Sequence, residues 1–130
     1  MKFAHISDTH IKNLKYHYEY RVIFEQLYKK LREEKVDYII HCGDVAHTKT
    51  QISPEYVDMC SQFFENLASI APTYVILGNH DGNLKNSSRQ DALTPIFNAL
   101  DIKTSNKRLF LIIEAAIFSP LSVSVTPALL

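Results

Sequence analysis

The sequence carries no net charge, with 14 lysines and arginines set against 14 aspartates and glutamates over 130 residues. A balanced chain has no general pull toward nucleic acid or an anionic membrane, so any polyanion binding must be local. Cysteine is scarce: Cys42 and Cys60 lie far apart, with no secretory segment ahead of them. They read as reduced, partly buried thiols of an intracellular, cytoplasmic protein, not as a disulfide framework. The N-terminus lacks the basic start and long apolar stretch of a signal peptide. A membrane span needs about 20 continuous apolar residues. Glu114, Ser119, Pro120, Ser122 and Ser124 interrupt the apolar end of the chain, so no membrane association is expected. There is no internal repeat, no low-complexity tract, and no histidine after His80. The length suits one domain with a single core and is short for two.

What the chain does have is three apolar runs that each end in metal-type ligands. Phe3, Ala4, His5, Ile6 and Ser7 lead into Asp8-Thr9-His10; residues 36–42 lead into Gly43-Asp44; residues 74–77 lead into Gly78-Asn79-His80-Asp81. Between the first two, Ile23, Leu27 and Leu31 recur every four positions with Tyr20, Phe24 and Tyr28 beside them, which predicts an amphipathic helix over residues 19–34. Ser53-Pro54-Glu55 has the chemistry of a helix start. The helix it opens runs to about residue 69, burying Tyr56, Met59, Cys60, Phe63, Phe64 and Leu67 before Pro72 stops it. Residues 89–100 predict a third helix, which Pro95 would kink or shorten, and residues 109–113 a fourth strand. This strand-helix-strand rhythm specifies an α/β fold with a parallel sheet and helices packed on it.

In a parallel sheet the loops at the carboxyl ends of neighbouring strands meet along one edge, where such folds place their ligands. Strand direction therefore brings Asp8, His10, Asp44, Asn79 and His80 together. Carboxylate, imidazole and carboxamide donors without thiolate suit manganese, iron or zinc. Two such ions can clamp a phosphate and activate a water. His5 and His41 lie inside strands and read as hydrogen-bonded core histidines, and Cys60 as packing. Lys12, Lys15, Tyr16 and Tyr18, with His17, form a loop able to meet DNA through phosphate contacts and stacking; an ordinary solvated loop is the competing reading.

These residues resemble the calcineurin-like metallophosphoesterases, whose pattern runs Asp-x-His, Gly-Asp-x-x, then Gly-Asn-His-Asp or -Glu. All three motifs stand here in order, as Asp8-Thr9-His10, Gly43-Asp44-Val45-Ala46-His47 and Gly78-Asn79-His80-Asp81. The words His5-Ile6-Ser7-Asp8-Thr9-His10 and His41-Cys42-Gly43-Asp44, with Asp91-Ala92-Leu93-Thr94-Pro95, look like the DNA double-strand-break repair exonuclease branch of SbcD type. The resemblance covers roughly residues 1–100. It implies that Asp8 and His10 hold a first metal, Asp44 bridges two, and Asn79 holds the second. It further implies that His80 acts on the phosphate or leaving oxygen, Asp81 orients His80, and His47 supports the site from behind the ligands. Two divalent ions, manganese foremost, are the implied cofactors. DNA is the implied substrate, with an SbcC-type ATPase partner and a homodimer of nuclease subunits.

The implied fold is a four-layer α/β/β/α sandwich, of which this chain would supply the parallel-sheet half. Residues 1–108 would be the N-terminal part of the domain, and residues 109–130 an apolar tail, aberrant or part of a strand. Complete members add a later histidine and a Gly-His-x-His motif. Their lack here leads us to expect a truncated product with impaired activity, or completion by another chain. The leading functional reading is a two-metal DNA exonuclease or endonuclease. The alternatives are a small-molecule phosphatase or cyclic-nucleotide phosphodiesterase on the same scaffold, and a non-catalytic metal-binding fragment.

Overall fold

The computed structural model describes residues 1–83, 85–86, 88–101 and 109–112, the last four and Asp101 by their backbone only. Four strands form one sheet: β1 (Phe3–Ile6), β2 (Tyr38–His41), β3 (Thr73–Ile76) and β4 (Leu109–Ile112). They pair in chain order, and every pairing is parallel. Three helices connect or follow them: α1 (His17–Glu34), α2 (Pro54–Ile70) and α3 (Thr94–Asp101). The second sheet of a sandwich is not among the described residues. Nor is the stretch 113–130 of the expected tail, while residues 109–112 pair in register with β3.

Alternation along each strand divides the sheet into two faces. Ile39, His41, Thr73 and Val75 are buried on the helix side, with Ala4 and Ile6 packed against the same core. Phe3, His5, Tyr38, Ile40, Tyr74 and Ile76 point the other way and are partly or fully exposed. The Phe3 ring stacks on Tyr38 at 5.5 Å there. His5 is thereby corrected from a core histidine to an exposed one, because its position in the alternation turns it away from the helices. The other expected core histidine, His41, is fully buried.

The core is an aromatic stack running between the helices. Phe24 and Tyr28 of α1 meet Phe63 of α2 with ring centroids 4.3 and 6.2 Å apart, and Phe64 meets Phe97 of α3 at 4.8 Å. The buried side of α2 is the one expected, from Tyr56 to Leu67, and it includes a completely buried Cys60. On α1 the stripe is Phe24, Tyr28 and Leu31, with Tyr20 and Leu27 partly buried against it. Ile23 is 58% exposed and leaves the stripe expected for it. One residue before Phe24 it stands about 100° around the helix, and the larger rings claim the buried arc. Cys42, just after β2, is exposed, not partly buried as expected.

Local chemistry sets the helix ends. The Ser53 hydroxyl accepts the Tyr56 N–H at 3.1 Å, with Pro54 at the first helical position. The third helix starts at Thr94, five residues later than expected. The Asp91 carboxylate accepts the Leu93 and Thr94 N–H groups, each at 2.7 Å, and the Thr94 hydroxyl at 2.6 Å. Pro95 thus falls in the first turn, where its missing N–H leaves no bond unmade. Among the described residues no helix is long and apolar enough to cross a membrane.

Replacing Phe63 by alanine empties the centre of the stack and should destabilise the chain by about 3–5 kcal/mol in urea denaturation. Ile23→Glu should stay within about 0.5 kcal/mol of the parent. Equal losses would contradict the assigned stripe.

Candidate metal centre

The register Ile6↔His41↔Val75 sets the carboxyl ends of the three strands side by side. The loops after β1 and β2 then continue the ladder beyond the strands. Asp8 N–H bonds Gly43 O at 3.1 Å, His10 N–H bonds Asp44 O at 3.0 Å, and Ile11 N–H bonds Val45 O at 2.7 Å. Within this ladder Asp8 (φ 55°), His10 (φ 43°) and Asp44 (φ 54°) all take the left-handed backbone region. Each such non-glycine residue costs on the order of 1–2 kcal/mol. The two other non-glycine residues with positive φ among the described residues, Tyr16 and Lys35, cap α1, so the three in these loops have no helix end to account for them and point to a functional arrangement.

The outcome is convergence. Donor atoms of Asp8, His10 and Asp44 all lie within 4.8 Å of one another. His10 Nε2 is 3.5 Å from Asp8 Oδ1, and its Nδ1 is buried without a hydrogen-bond partner among the described residues. The Ser7 hydroxyl bonds the Asp8 carboxylate and, with His10, holds it below the usual carboxylate range. Two carboxylates and an incompletely satisfied imidazole at this spacing fit a divalent cation by donor type. Asp8, His10 and Asp44 would hold it.

The third loop is locked to the second. Glycine is required at both crossing points, since a Cβ on Gly43 would strike the Gly78 backbone and one on Gly78 would strike the Asp44 carboxylate. Asp44 Oδ1 accepts the His80 N–H at 2.9 Å. The His80 ring lies 4.8 Å from that of His10, and its Nδ1 is 2.7 Å from the His47 carbonyl. The His47 ring is 6.0 Å from His10 and 6.5 Å from His80, so three imidazoles gather beside the carboxylates. Asn79 is exposed in the same turn, and its main-chain carbonyl accepts from the Lys49 ammonium at 3.2 Å.

Residues 1–123 match the calcineurin-like phosphoesterase family. The chain belongs to that family. It is also 47% identical over 95 residues, 71% of its length, to "Uncharacterized protein R555" of Acanthamoeba polyphaga mimivirus. The chain spans 7% of the length of that relative.

Within this phosphoesterase domain one expected role is corrected. Asp81 does not face the His80 ring. Its fully buried carboxylate accepts Val45 N–H at 2.9 and 3.2 Å, Ala46 N–H at 2.9 Å and Gly78 N–H at 3.0 Å. Burial raises its pKa against the opposing pull of these donors, and the Asp44 charge adds to the rise. Asp81 is thus a clasp between the second and third loops, while the His47 main chain orients His80. Two groups escaped the sequence reading. Lys49 also donates to Gly82 O at 2.6 Å, and Tyr20 of α1 donates its hydroxyl to His10 O at 2.7 Å. Neither residue has a motif spacing, and only the folded loops reveal them.

Of the proposed DNA-contact loop, Tyr16 (57%) and Tyr18 (76%) are exposed, as is Lys15. The Lys12 ammonium sits 5.1 Å over the Tyr16 ring.

Asp81→Ala leaves buried N–H donors without an acceptor and should destabilise the chain by at least about 3 kcal/mol in chemical denaturation. Asp81→Asn should recover only part of this, since one oxygen becomes an amide donor facing other donors. Wild-type stability in either variant would remove the clasp.

Proposed function

We propose that this phosphoesterase chain provides the metal-binding part of a phosphodiesterase of the DNA exonuclease or endonuclease type. The observation that carries the metal-dependent part is the convergence of Asp8, His10 and Asp44 beside His80. Two divalent ions, manganese foremost, are the proposed cofactors, with Asn79 as the further ligand. Bound there, they supply charge neutralisation of the phosphate and a lowered pKa for water.

The chain's own contribution is to place a proton. A carbonyl only accepts, so the His80 Nδ1 facing His47 O carries hydrogen, and Nε2 is the nitrogen left to hold or give a proton. The bond to His47 O survives in both charge states of the ring, which keeps it oriented through a proton transfer.

DNA as substrate is supported by the exposed loop that follows His10. Lys12, Lys15 and Tyr16, with Tyr18 in the first turn of α1, offer cations for phosphates and rings for bases, and Lys12 lies over the Tyr16 ring. An ATPase partner and a homodimer belong to the same proposal by family resemblance.

Asp44→Ala should abolish tight manganese binding in calorimetry. His80→Ala should keep manganese binding and lose about 100-fold or more in phosphodiester turnover. Duplex DNA ends should be turned over faster than bis(p-nitrophenyl) phosphate or p-nitrophenyl phosphate. Faster turnover of the small esters would overturn the nuclease reading and leave the phosphoesterase one. Full activity in both variants would overturn the metal mechanism itself.

A further inference from the structure

His41 is the one fully buried imidazole in the described chain, and neither ligand chemistry nor proton placement uses it. It ends β2, pressed on by the rings of Phe63 and Phe64 from α2 at 6.0 and 5.6 Å. Its two nitrogens face two different ligand loops. Nδ1 accepts the Gly43 N–H at 3.2 Å, at the turn that presents Asp44. Nε2 lies 3.4 Å from the hydroxyl of Thr9, the residue between Asp8 and His10.

The first contact fixes the chemistry of the second. An Nδ1 that accepts carries no hydrogen, so the neutral ring holds its proton on Nε2 and donates toward Thr9 Oγ1. The hydroxyl is then left to donate onward to the Val45 carbonyl at 3.5 Å. Side chain, first loop and second loop thus form one directed chain of donors and acceptors, anchored in the core by aromatic rings.

We infer that His41 is a positioning residue for the metal centre: as its Nε2–H tautomer it sets the Asp8-Thr9-His10 loop against the Gly43-Asp44 turn and thereby sets metal affinity. This rests on the metal-centre reading and is independent of the substrate. Left-handed residues flank both contacts, so the loops sit in a conformation that backbone preference alone would not hold. A rigid ring between them restricts the spacing of Asp8, His10 and Asp44.

His41→Phe keeps the ring against Phe63 and Phe64 and removes both polar contacts. Its manganese dissociation constant, read by calorimetry, should rise by about 10-fold or more. His41→Asn, whose amide oxygen occupies the place of Nδ1, should recover part of the affinity, and Thr9→Val should lose some of it. Thr9→Val combined with His41→Phe should be no worse than His41→Phe alone, as groups in one chain are not additive. A core variant of similar stability loss, Leu67→Ala, should leave the dissociation constant within about threefold, since distant independent sites do not couple.

Long-range nitrogen-15 spectra of the unaltered, metal-free chain should show the Nε2–H tautomer of His41. The Nδ1–H tautomer would overturn the inference even if no variant folds. A folded His41→Phe that binds manganese as the parent does would also overturn it. Absence of manganese binding by the parent chain would instead overturn the metal-centre reading on which it stands.

Discussion

The site depends on one buried carboxylate. Asp81 is fully buried, and its carboxylate is met by backbone N–H groups from two separate loops. A buried carboxylate without donors is among the most expensive groups a fold can contain. Satisfying it therefore dictates where the Gly43–Ala46 turn lies relative to the turn that starts at Gly78. Everything that carries chemistry follows from that placement: Asp44 reaches the His80 amide, His47 presents its carbonyl to His80, and the two glycines cross with no room for a side chain. Lys49 closes the same joint from the opposite direction, as a cation on carbonyls.

The sheet supplies the other half of the constraint. Parallel strands in chain order put the three motif-bearing loops at one edge. The ladder continued by Asp8, His10 and Ile11 then draws the first loop onto the second. The aromatic stack of Phe24, Phe63, Phe64 and Phe97 holds the helices on the sheet, and His41 connects that stack to the ligand loops. Ile11, Val45 and Ala46 of the same loops also lie in the core, so core and site are continuous.

Much of this was legible in the sequence because period-2 and period-4 apolar patterns report burial, and the three motifs report strand ends. Asp8, His10 and Asp44 converge as strand direction requires. What was not legible depended on competition that a pattern does not record. Ile23 and Phe24 are both apolar, and only packing against Phe63 decides which one is buried. His5 and His41 both sit in strands, and the face each takes separates an exposed ring from a buried one. Asp81 stands next to His80 in sequence, which suggested a direct partnership. The turn instead directs its carboxylate into the protein, where the unsatisfied amides are.

Asp8, His10 and Asp44 are proposed to form one cation site held in a preset loop geometry. Manganese is paramagnetic, so the most direct measurement is its effect on the amide spectrum of the nitrogen-15-labelled chain. Substoichiometric manganese should broaden the amides of residues 8–10, 43–47 and 78–81 first and leave those of α1's last turns sharp. Broadening that begins at other carboxylates, such as Glu33 and Glu34, with these loops unaffected, would contradict it.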